Sequence, residues 1–292
     1  MATITADQVK KLRDQTGAGM MECKAALTEA NGDLEEATTI LRKRGLASAA
    51  KKAGRVAREG LVGHWIAEDH SSGILAEVNC ESDFVARTDD FHALIRDVLA
   101  EINRLGDLAT DAWLLDPEGP VKKRVAATIG KLGENMSVPR FVRYAGQGYV
   151  GQYIHLGGKI GVQVEFGGVT PAASGREEFV TLTKEIAMQI AAASPGYVSR
   201  EAVPAALVEK ERSIYRAQME GSGKPAAVIE KIVEGKLGSF YKGVVLPDQE
   251  SIRDPKTTVK DVLAAAQKAL GTPVTVTRFA RLKVGEAATS IG

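Results

Sequence analysis

The spacing of apolar residues in the first fifty positions predicts three short helices. In each, apolar side chains recur at three- or four-residue intervals after a capping signal or a turn, such as the capping box from Thr5 to Gln8. The apolar positions are Val9 and Leu12, then Met20, Cys23 and Leu27, then Ala37, Ile40 and Leu41 before Gly45. Three helices this short enclose only a marginal core, so we predict an interaction module that docks on another surface.

Met20 and Met21 leave two interpretations open. Adjacent residues of a helix cannot both face one apolar stripe. The second methionine could also be buried, which is the common state of so apolar a side chain. Alternatively it provides an adaptable surface contact, because an unbranched thioether fits irregular surfaces. Hydrophobicity alone favours the buried interpretation.

The middle of the chain contains an internal repeat. A shift of 88 positions aligns the first copy with the second in three blocks, 62–66 with 150–154, 73–78 with 161–166, and 90–102 with 178–190. In each copy the alternation of a β-hairpin, with a glycine-containing turn, precedes the 3.6-residue period of a helix. We therefore predict two related α+β subdomains with antiparallel sheets.

The repeat continues with a different offset. Residues 132–143 recur at 270–281 after a shift of 138, so about 50 residues are inserted in the second copy between Ile190 and Leu270. Within this insertion, the stretch 201–243 carries two apolar stripes separated by a Gly- and Pro-containing break at 221–225. This pattern predicts an antiparallel helical hairpin, whose apolar flanks leave docking or self-association open.

The candidate functional segment is residues 79–88, between a predicted strand at 74–78 and a helix predicted to begin near Asp89. Its Asn, Ser and Asp side chains favour a tight connection that ends at a helix N-cap. In one interpretation Phe84 fills the core and Asp83 caps the next helix. The repeat favours an outward-facing Asp83 and Phe84, because the copy of Phe84 is Ala172 and a residue of the shared core should have a bulky counterpart.

Composition limits the classes of partner. The chain has 38 basic and 37 acidic side chains and a net charge of +1, which gives no overall attraction to nucleic acid or to acidic membranes. The start lacks a signal-peptide pattern, and no apolar run reaches the roughly 18 residues of a membrane span. Only Cys23 and Cys80 are present, and the histidines lack zinc-ligand spacing. We therefore expect a cytoplasmic protein with reduced thiols, no metal and no cofactor.

Two other functional classes have weaker signals. The segment from Arg42 to Arg58 has seven basic residues and no acidic one, but it lacks an aromatic residue for base stacking, so we interpret it as a basic linker helix rather than an RNA site. Gly146 to Gly151 matches a dinucleotide-binding pattern, yet residues 152–164 predict a strand hairpin. No helix N-terminus would then face a pyrophosphate. In the Gly221 turn, Pro225 stands where a phosphate loop needs Ser or Thr.

Several motifs together resemble the bacterial elongation factor Ts family, the nucleotide-exchange factors of the GTPase elongation factor Tu. The motifs follow the family order and lie at 16–24, 26–33, 49–54, 78–86, 130–135, 223–225 and 233–235. The resemblance runs from about residue 3 to 286. Where the family usually has Thr before Asp-Phe-Val, this chain has Ser82, which keeps the hydroxyl group and loses a methyl group.

The resemblance implies an α+β fold with an N-terminal three-helix ubiquitin-associated-like domain, two repeated core subdomains with antiparallel sheets, and an inserted helical hairpin that forms a coiled coil. The implied domains are an N-terminal GTPase-contact domain at 1–56, a core N-subdomain at 57–148, a core C-subdomain with a C-terminal module at 149–199 and 246–292, and the hairpin at 200–245.

The resemblance also implies guanine-nucleotide exchange on elongation factor Tu during translation, with no covalent catalysis, no cofactor and no direct nucleotide binding. A loop would intrude near the magnesium and switch region of the partner, while an N-terminal surface and a histidine in Tyr-x-His would bind elsewhere on it. The assigned residues are Ser82, Asp83, Phe84 and Val85 in the loop, and Arg13, Met20, Met21 and His155 outside it. A dimer of such heterodimers, through the core or the hairpin, stays open.

Overall fold

The computed structural model describes residues 4–146 and 148–286, which contain helices and two small antiparallel sheets. This confirms the predicted α+β class. The described residues fall into two units. Unit 1 comprises residues 4–64, 74–143 and 283–286, and unit 2 comprises residues 65–73 and 144–282 without position 147. No helix in the described part of the chain is long and apolar enough to cross a membrane.

Unit 1 begins with three helices that enclose their own small core. Thr5 and Gln8 form the predicted capping box of the first helix, and the Asp33 side chain caps the third. The helices are α1 (Ala6–Thr16), α2 (Met20–Glu29) and α3 (Leu34–Lys52). Their buried residues are Val9, Leu12, Cys23, Ala26, Leu27, Ala30, Ala37 and Ile40. The three predicted helices are therefore confirmed.

The remainder of unit 1 is a three-stranded sheet in the order β1-β2-β3, covered by helices. The elements are β1 (Glu59–Ile66), β2 (Ser72–Cys80), α4 (Asp83–Ala86), α5 (Asp89–Leu105), α6 (Asp111–Leu115), α7 (Pro120–Leu132) and β3 (Met136–Ala145). One face of α5 is apolar, and Phe91, Leu94 and Ile102 on it are fully buried. Burial of this face anchors α5, and with it the short preceding helix α4, on the rest of unit 1.

Two predictions for the N-terminal module are wrong. Met20 and Met21 are both exposed, at 52% and 75%, because other side chains of α2 already fill the core. Helix α3 does not stop at Gly45 but continues to Lys52. Gly45 lies where α3 packs on α7, and its Cα is 3.3 Å from where a Cβ of Gly130 would lie. Close helix packing thus outweighs the weak helix propensity of glycine.

Unit 2 has a second three-stranded sheet, in the order β4-β5-β6. Strands β4 and β5 pair antiparallel from Tyr149 opposite Phe166 to His155 opposite Ile160. The elements are β4 (Tyr149–His155), β5 (Ile160–Gly167), α8 (Pro171–Ser174), α9 (Glu177–Ala193), α10 (Ala205–Ala217), α11 (Ala226–Val244), α12 (Val259–Leu270) and β6 (Thr275–Lys283). The Gly146 motif leads into β4 as predicted, although its Gln147 lies outside the described residues.

The internal repeat is confirmed by the elements themselves. Helices α5 and α9 both have 17 residues and begin 88 positions apart, at Asp89 and Glu177. Helices α4 and α8 both have four residues, and each begins after a capping hydroxyl group, that of Ser82 or Thr170. The inserted helices α10 and α11 lie inside the predicted stretch to within one residue and are joined by ion pairs Arg216–Glu230 and Arg212–Glu234. Two copies of one unit therefore share their local structure.

An ion pair with a buried glutamate recurs in both copies. Arg140 Nε lies 2.7 Å from Glu77 Oε2 in unit 1, and Arg278 Nε lies 2.6 Å from Glu165 Oε2 in unit 2. Both glutamates are more than nine-tenths buried, and Glu77 Oε1 also accepts the Gly285 amide at 2.8 Å. The shifts of 88 and 138 relate the two glutamates and the two arginines. The pair is thus part of the repeated design.

Removing one member of this pair should destabilise the protein strongly. For Glu77→Ala we expect the free energy of unfolding to fall by about 3–5 kcal/mol, because the mostly buried Arg140 guanidinium loses its carboxylate partner and keeps only the carbonyl groups of Lys283 and Glu286. The matched control is Glu29→Ala, which breaks the exposed pair with Arg44 and should cost at most about 1 kcal/mol. Urea unfolding of the two variants measures the difference, and equal losses would show that the buried pair has no special role.

Candidate functional site

The segment between β2 and α4 holds Phe84 outside the core. Ser82 caps α4, with its Oγ accepting the Val85 amide at 3.4 Å. Helix α5 has a separate cap, because Thr88 Oγ1 accepts the Phe91 amide at 3.2 Å. Phe84 is 80% exposed. The predicted outward orientation of Phe84 is therefore confirmed, and the interpretation of Asp83 as the cap of the next helix is wrong.

Asp83 carries its charge at the surface. Its Oδ2 accepts Arg87 Nη2 at 2.8 Å, one helical turn later, and both side chains are substantially exposed. Ion pairs as exposed as this contribute about 1 kcal/mol or less, so an incoming cation or a donor of a binding partner can replace the guanidinium. Asp83 and Phe84 thus present a carboxylate and an aromatic ring side by side.

The segment that follows α7 holds this connection in place through hydrogen bonds. The carboxylate of Glu134 accepts the Ser82 amide at 2.9 Å and the Ser82 hydroxyl group at 2.5 Å. The neighbours of these two residues are also joined, because the Asn135 amide donates to Glu81 Oε1 at 2.6 Å. The sequence analysis did not single out Glu134. The only signal was its place in the motif 130–135, since the two segments are 52 residues apart.

The structure puts Arg13, Met20 and Met21 on the surface of the N-terminal module. Arg13 is exposed in the last turn of α1, and the two methionines open α2. The intervening turn is held by the Gly17 amide, which donates to the Arg13 carbonyl at 2.7 Å. Adjacent exposed methionines are unusual on a surface without a partner, and flexible thioethers suit a contact with another protein.

His155 ends β4 in unit 2 and is exposed, which confirms its predicted place in a strand. Its Nδ1 lies 2.9 Å from the Tyr153 hydroxyl group, and the two rings lie 5.7 Å apart in a stacked arrangement. Leu156 follows with a positive φ of 50° and is 67% exposed. Sequence analysis missed Leu156, although an apolar residue before Gly157 in a predicted turn indicates a side chain at the hairpin tip.

The strand that carries His155 is held by His70. The His70 ring lies 4.3 Å from the Tyr149 ring, nearly parallel to it, and its Nδ1 is 2.9 Å from the Val150 carbonyl oxygen. The Val150 amide in turn donates to the His70 carbonyl at 2.8 Å. The start of β4 is thus fixed by a ring contact and two hydrogen bonds.

The site residues have the properties of side chains that bind another protein. They are exposed apolar or charged side chains on short rigid supports, and they lie in both units. In the described part of the chain, no three His, Cys, Asp or Glu side chains are grouped so that they could hold a metal ion. An arrangement of this kind can wedge into or grip another protein, because an exposed ring gains its burial only on association.

The sequence matches the family described as Elongation factor TS over residues 81–286. Curated relatives are also similar over almost the whole chain. The elongation factor Ts of Clostridium botulinum (strain Eklund 17B / Type B) is 44% identical over 288 residues, which cover 97% of this chain and 93% of the relative.

Two further relatives give the same result. The elongation factor Ts of Clostridium acetobutylicum is 43% identical and that of Trichlorobacter lovleyi 41% identical, each over 289 residues with 97% of this chain and 93% of the relative covered. The chain therefore belongs to the elongation factor Ts family.

Proposed function

We propose that this protein is a cytoplasmic guanine-nucleotide exchange factor that binds elongation factor Tu, releases GDP and so allows GTP loading during translation elongation. The observation that carries the proposal is the 80% exposed Phe84 beside Asp83, on a fastened loop, in a chain of this family. Such a ring contributes nothing to its own core and is available to a partner.

Exchange follows from negative coupling between two ligands. A factor that binds the empty GTPase more tightly than the nucleotide-bound form must lower nucleotide affinity by the same factor. In this proposal Ser82, Asp83, Phe84 and Val85 intrude near the magnesium and switch region of elongation factor Tu. The Asp83 carboxylate then releases Arg87, binds groups of the partner instead and disturbs the magnesium site of the partner.

One aromatic ring cannot supply the whole effect. A thousandfold faster release requires about 4 kcal/mol of selective stabilisation of the transition state. Burying one phenylalanine contributes only about 2–3 kcal/mol. The proposal therefore assigns the remainder to Asp83, to the surface of Arg13, Met20 and Met21, and to His155 at a second site of the GTPase.

The same proposal includes a role for each domain of the chain. Residues 1–56 act as the GTPase-contact domain, with a ubiquitin-associated-like arrangement of α1 to α3. Residues 57–148 and 149–199 with 246–292 form the two core subdomains, and the hairpin at 200–245 forms a coiled coil. The exposed Ile214 and Val228 on α10 and α11 leave this hairpin, like the core, available for a dimer of heterodimers.

We expect Phe84→Ala and Asp83→Ala each to lower the acceleration of GDP release by elongation factor Tu about 10- to 50-fold, because each removes about 1.5–2.5 kcal/mol of transition-state stabilisation. Stopped-flow release of a fluorescent GDP measures this. Leu108→Ala is the matched control, since it removes a 75% exposed apolar side chain of the same unit outside the loop. An equal loss in the control and in Phe84→Ala would refute the wedge.

Tyr153→Phe tests the orientation of His155. The change removes the hydroxyl group that contacts His155 Nδ1 and keeps the ring. Because one neutral hydrogen bond is lost, we expect acceleration to fall only about 3- to 10-fold, and His155→Ala to cost more. If His155→Ala leaves release unchanged, the second contact site is elsewhere. The same stopped-flow assay, with circular dichroism to check folding, gives the answer.

A further inference from the structure

Helix α4 cannot fix the direction of Phe84 by itself. It has four residues, whereas isolated helices need roughly 12–15 residues to be even marginally stable in water. Phe84 is 80% exposed and so has little packing of its own. The direction of the Asp83 and Phe84 side chains must therefore come from contacts that other parts of the chain make with this connection.

Two of those contacts are made by one carboxylate. Glu134 accepts from both the amide and the hydroxyl group of Ser82, at 2.9 and 2.5 Å. The Ser82 hydroxyl group donates its proton to Glu134, and its oxygen accepts the Val85 amide of α4 at 3.4 Å. Hydrogen bonds to a charged acceptor are stronger and more directional than neutral ones. One side chain thus sets both the backbone and the cap of the loop.

Glu134 is itself held on both sides. Gly133, with φ of 79°, ends α7, and its amide donates to the Ile129 carbonyl at 2.9 Å. Asn135 is buried, its amide bonds Glu81, and its Nδ2 donates to the Arg55 carbonyl at 2.7 Å. A fixed backbone therefore holds the Glu134 carboxylate next to Ser82. Such a fixed support is needed to preorganise a neighbouring loop.

The second copy of the repeat provides an internal control. The equivalent of Ser82 is Thr170, which caps α8 by accepting the Ala173 amide at 3.3 Å. The equivalent of Glu134 is Thr272, whose hydroxyl group instead donates to the Gly168 carbonyl at 2.8 Å. Helix α8 forms without a carboxylate clamp. The fold of this corner therefore does not require the clamp, which occurs in the copy whose loop carries Asp83 and Phe84.

We propose that Glu134 is a positioning residue for nucleotide exchange, which clamps Ser82 so that Asp83 and Phe84 point at the partner before binding. This inference rests on the proposed function. In this inference Glu134 acts through its two hydrogen bonds to Ser82 and not by contact with nucleotide or magnesium. Preorganisation of this kind lowers the entropy lost on association and aligns the wedge with the partner in the transition state for release.

The first test measures GDP release over a range of factor concentrations. Glu134→Ala should lower the limiting acceleration at saturation about tenfold, because two charge-assisted hydrogen bonds are lost, whereas the half-saturating concentration should change about threefold or less. The isosteric Glu134→Gln, which keeps one acceptor, should fall in between. Thr272→Ala is the matched control in the other copy and should leave the limiting rate unchanged. A Glu134→Ala limiting rate equal to that of the control would overturn the proposal.

A double-mutant comparison tests whether Glu134 acts through Ser82. If it does, Glu134→Ala should lower the acceleration much less in the Ser82→Ala background than in the wild type, because the bond from the hydroxyl group is already lost there and only the bond from the backbone amide remains. Multiplicative losses would contradict the clamp.

Amide hydrogen exchange of the free protein separates failure of this inference from failure of the proposed function. Glu134→Ala should speed exchange at Ser82 and Val85 at least about tenfold and leave Ala173 in the second copy unchanged. Unchanged exchange at Ser82 would overturn the clamp even if the wild-type protein accelerates GDP release. Faster exchange at Ser82, with no GDP release by the wild type, would retain the clamp and reject the exchange function.

Discussion

An exposed phenylalanine has to be held in place by something other than its own packing. Phe84 gains no burial in the free protein, so its position depends on the rigidity of the connection between β2 and α4. That connection is rigid because Ser82 is bound to Glu134 and Glu81 to Asn135, and because the following α5 is anchored by its buried apolar face. Hydrogen bonds of the connection and the packing of α5 thus keep the Phe84 ring in its exposed position.

The repeat explains how such a loop can be supported without a larger domain. Each copy of the unit has a hairpin, a short capped helix, a long amphipathic helix and a Glu–Arg pair with a buried carboxylate. These shared features stabilise both copies. Besides the inserted α10 and α11, the copies differ at the corner after the second strand, where one copy has Asp83, Phe84 and Glu134 and the other has Pro171, Ala172 and Thr272. Residues that would contact a partner can therefore differ there with little effect on the fold that the two copies share.

The sequence predicted the repeat, the insertion and the outward Phe84, because periodicity and internal comparison report directly on burial. It failed where tertiary packing decides. The spacing of Met20 suggested core, but Cys23, Ala26 and Leu27 already fill the space that α2 encloses. Glycine propensity suggested the end of α3 at Gly45, but close packing with α7 retains the helix. The Glu134 clamp joins segments far apart in the chain, so no local pattern could reveal it.

The proposed function depends on accelerated release of nucleotide from a GTPase partner. The most direct measurement is stopped-flow release of a fluorescent GDP from purified elongation factor Tu with increasing amounts of the wild-type protein. We expect the release rate to rise with the concentration of the protein and to saturate at about a thousandfold or more above the spontaneous rate, in line with about 4 kcal/mol of selective stabilisation. A release rate that stays at the spontaneous value at saturating protein would rule out the exchange function.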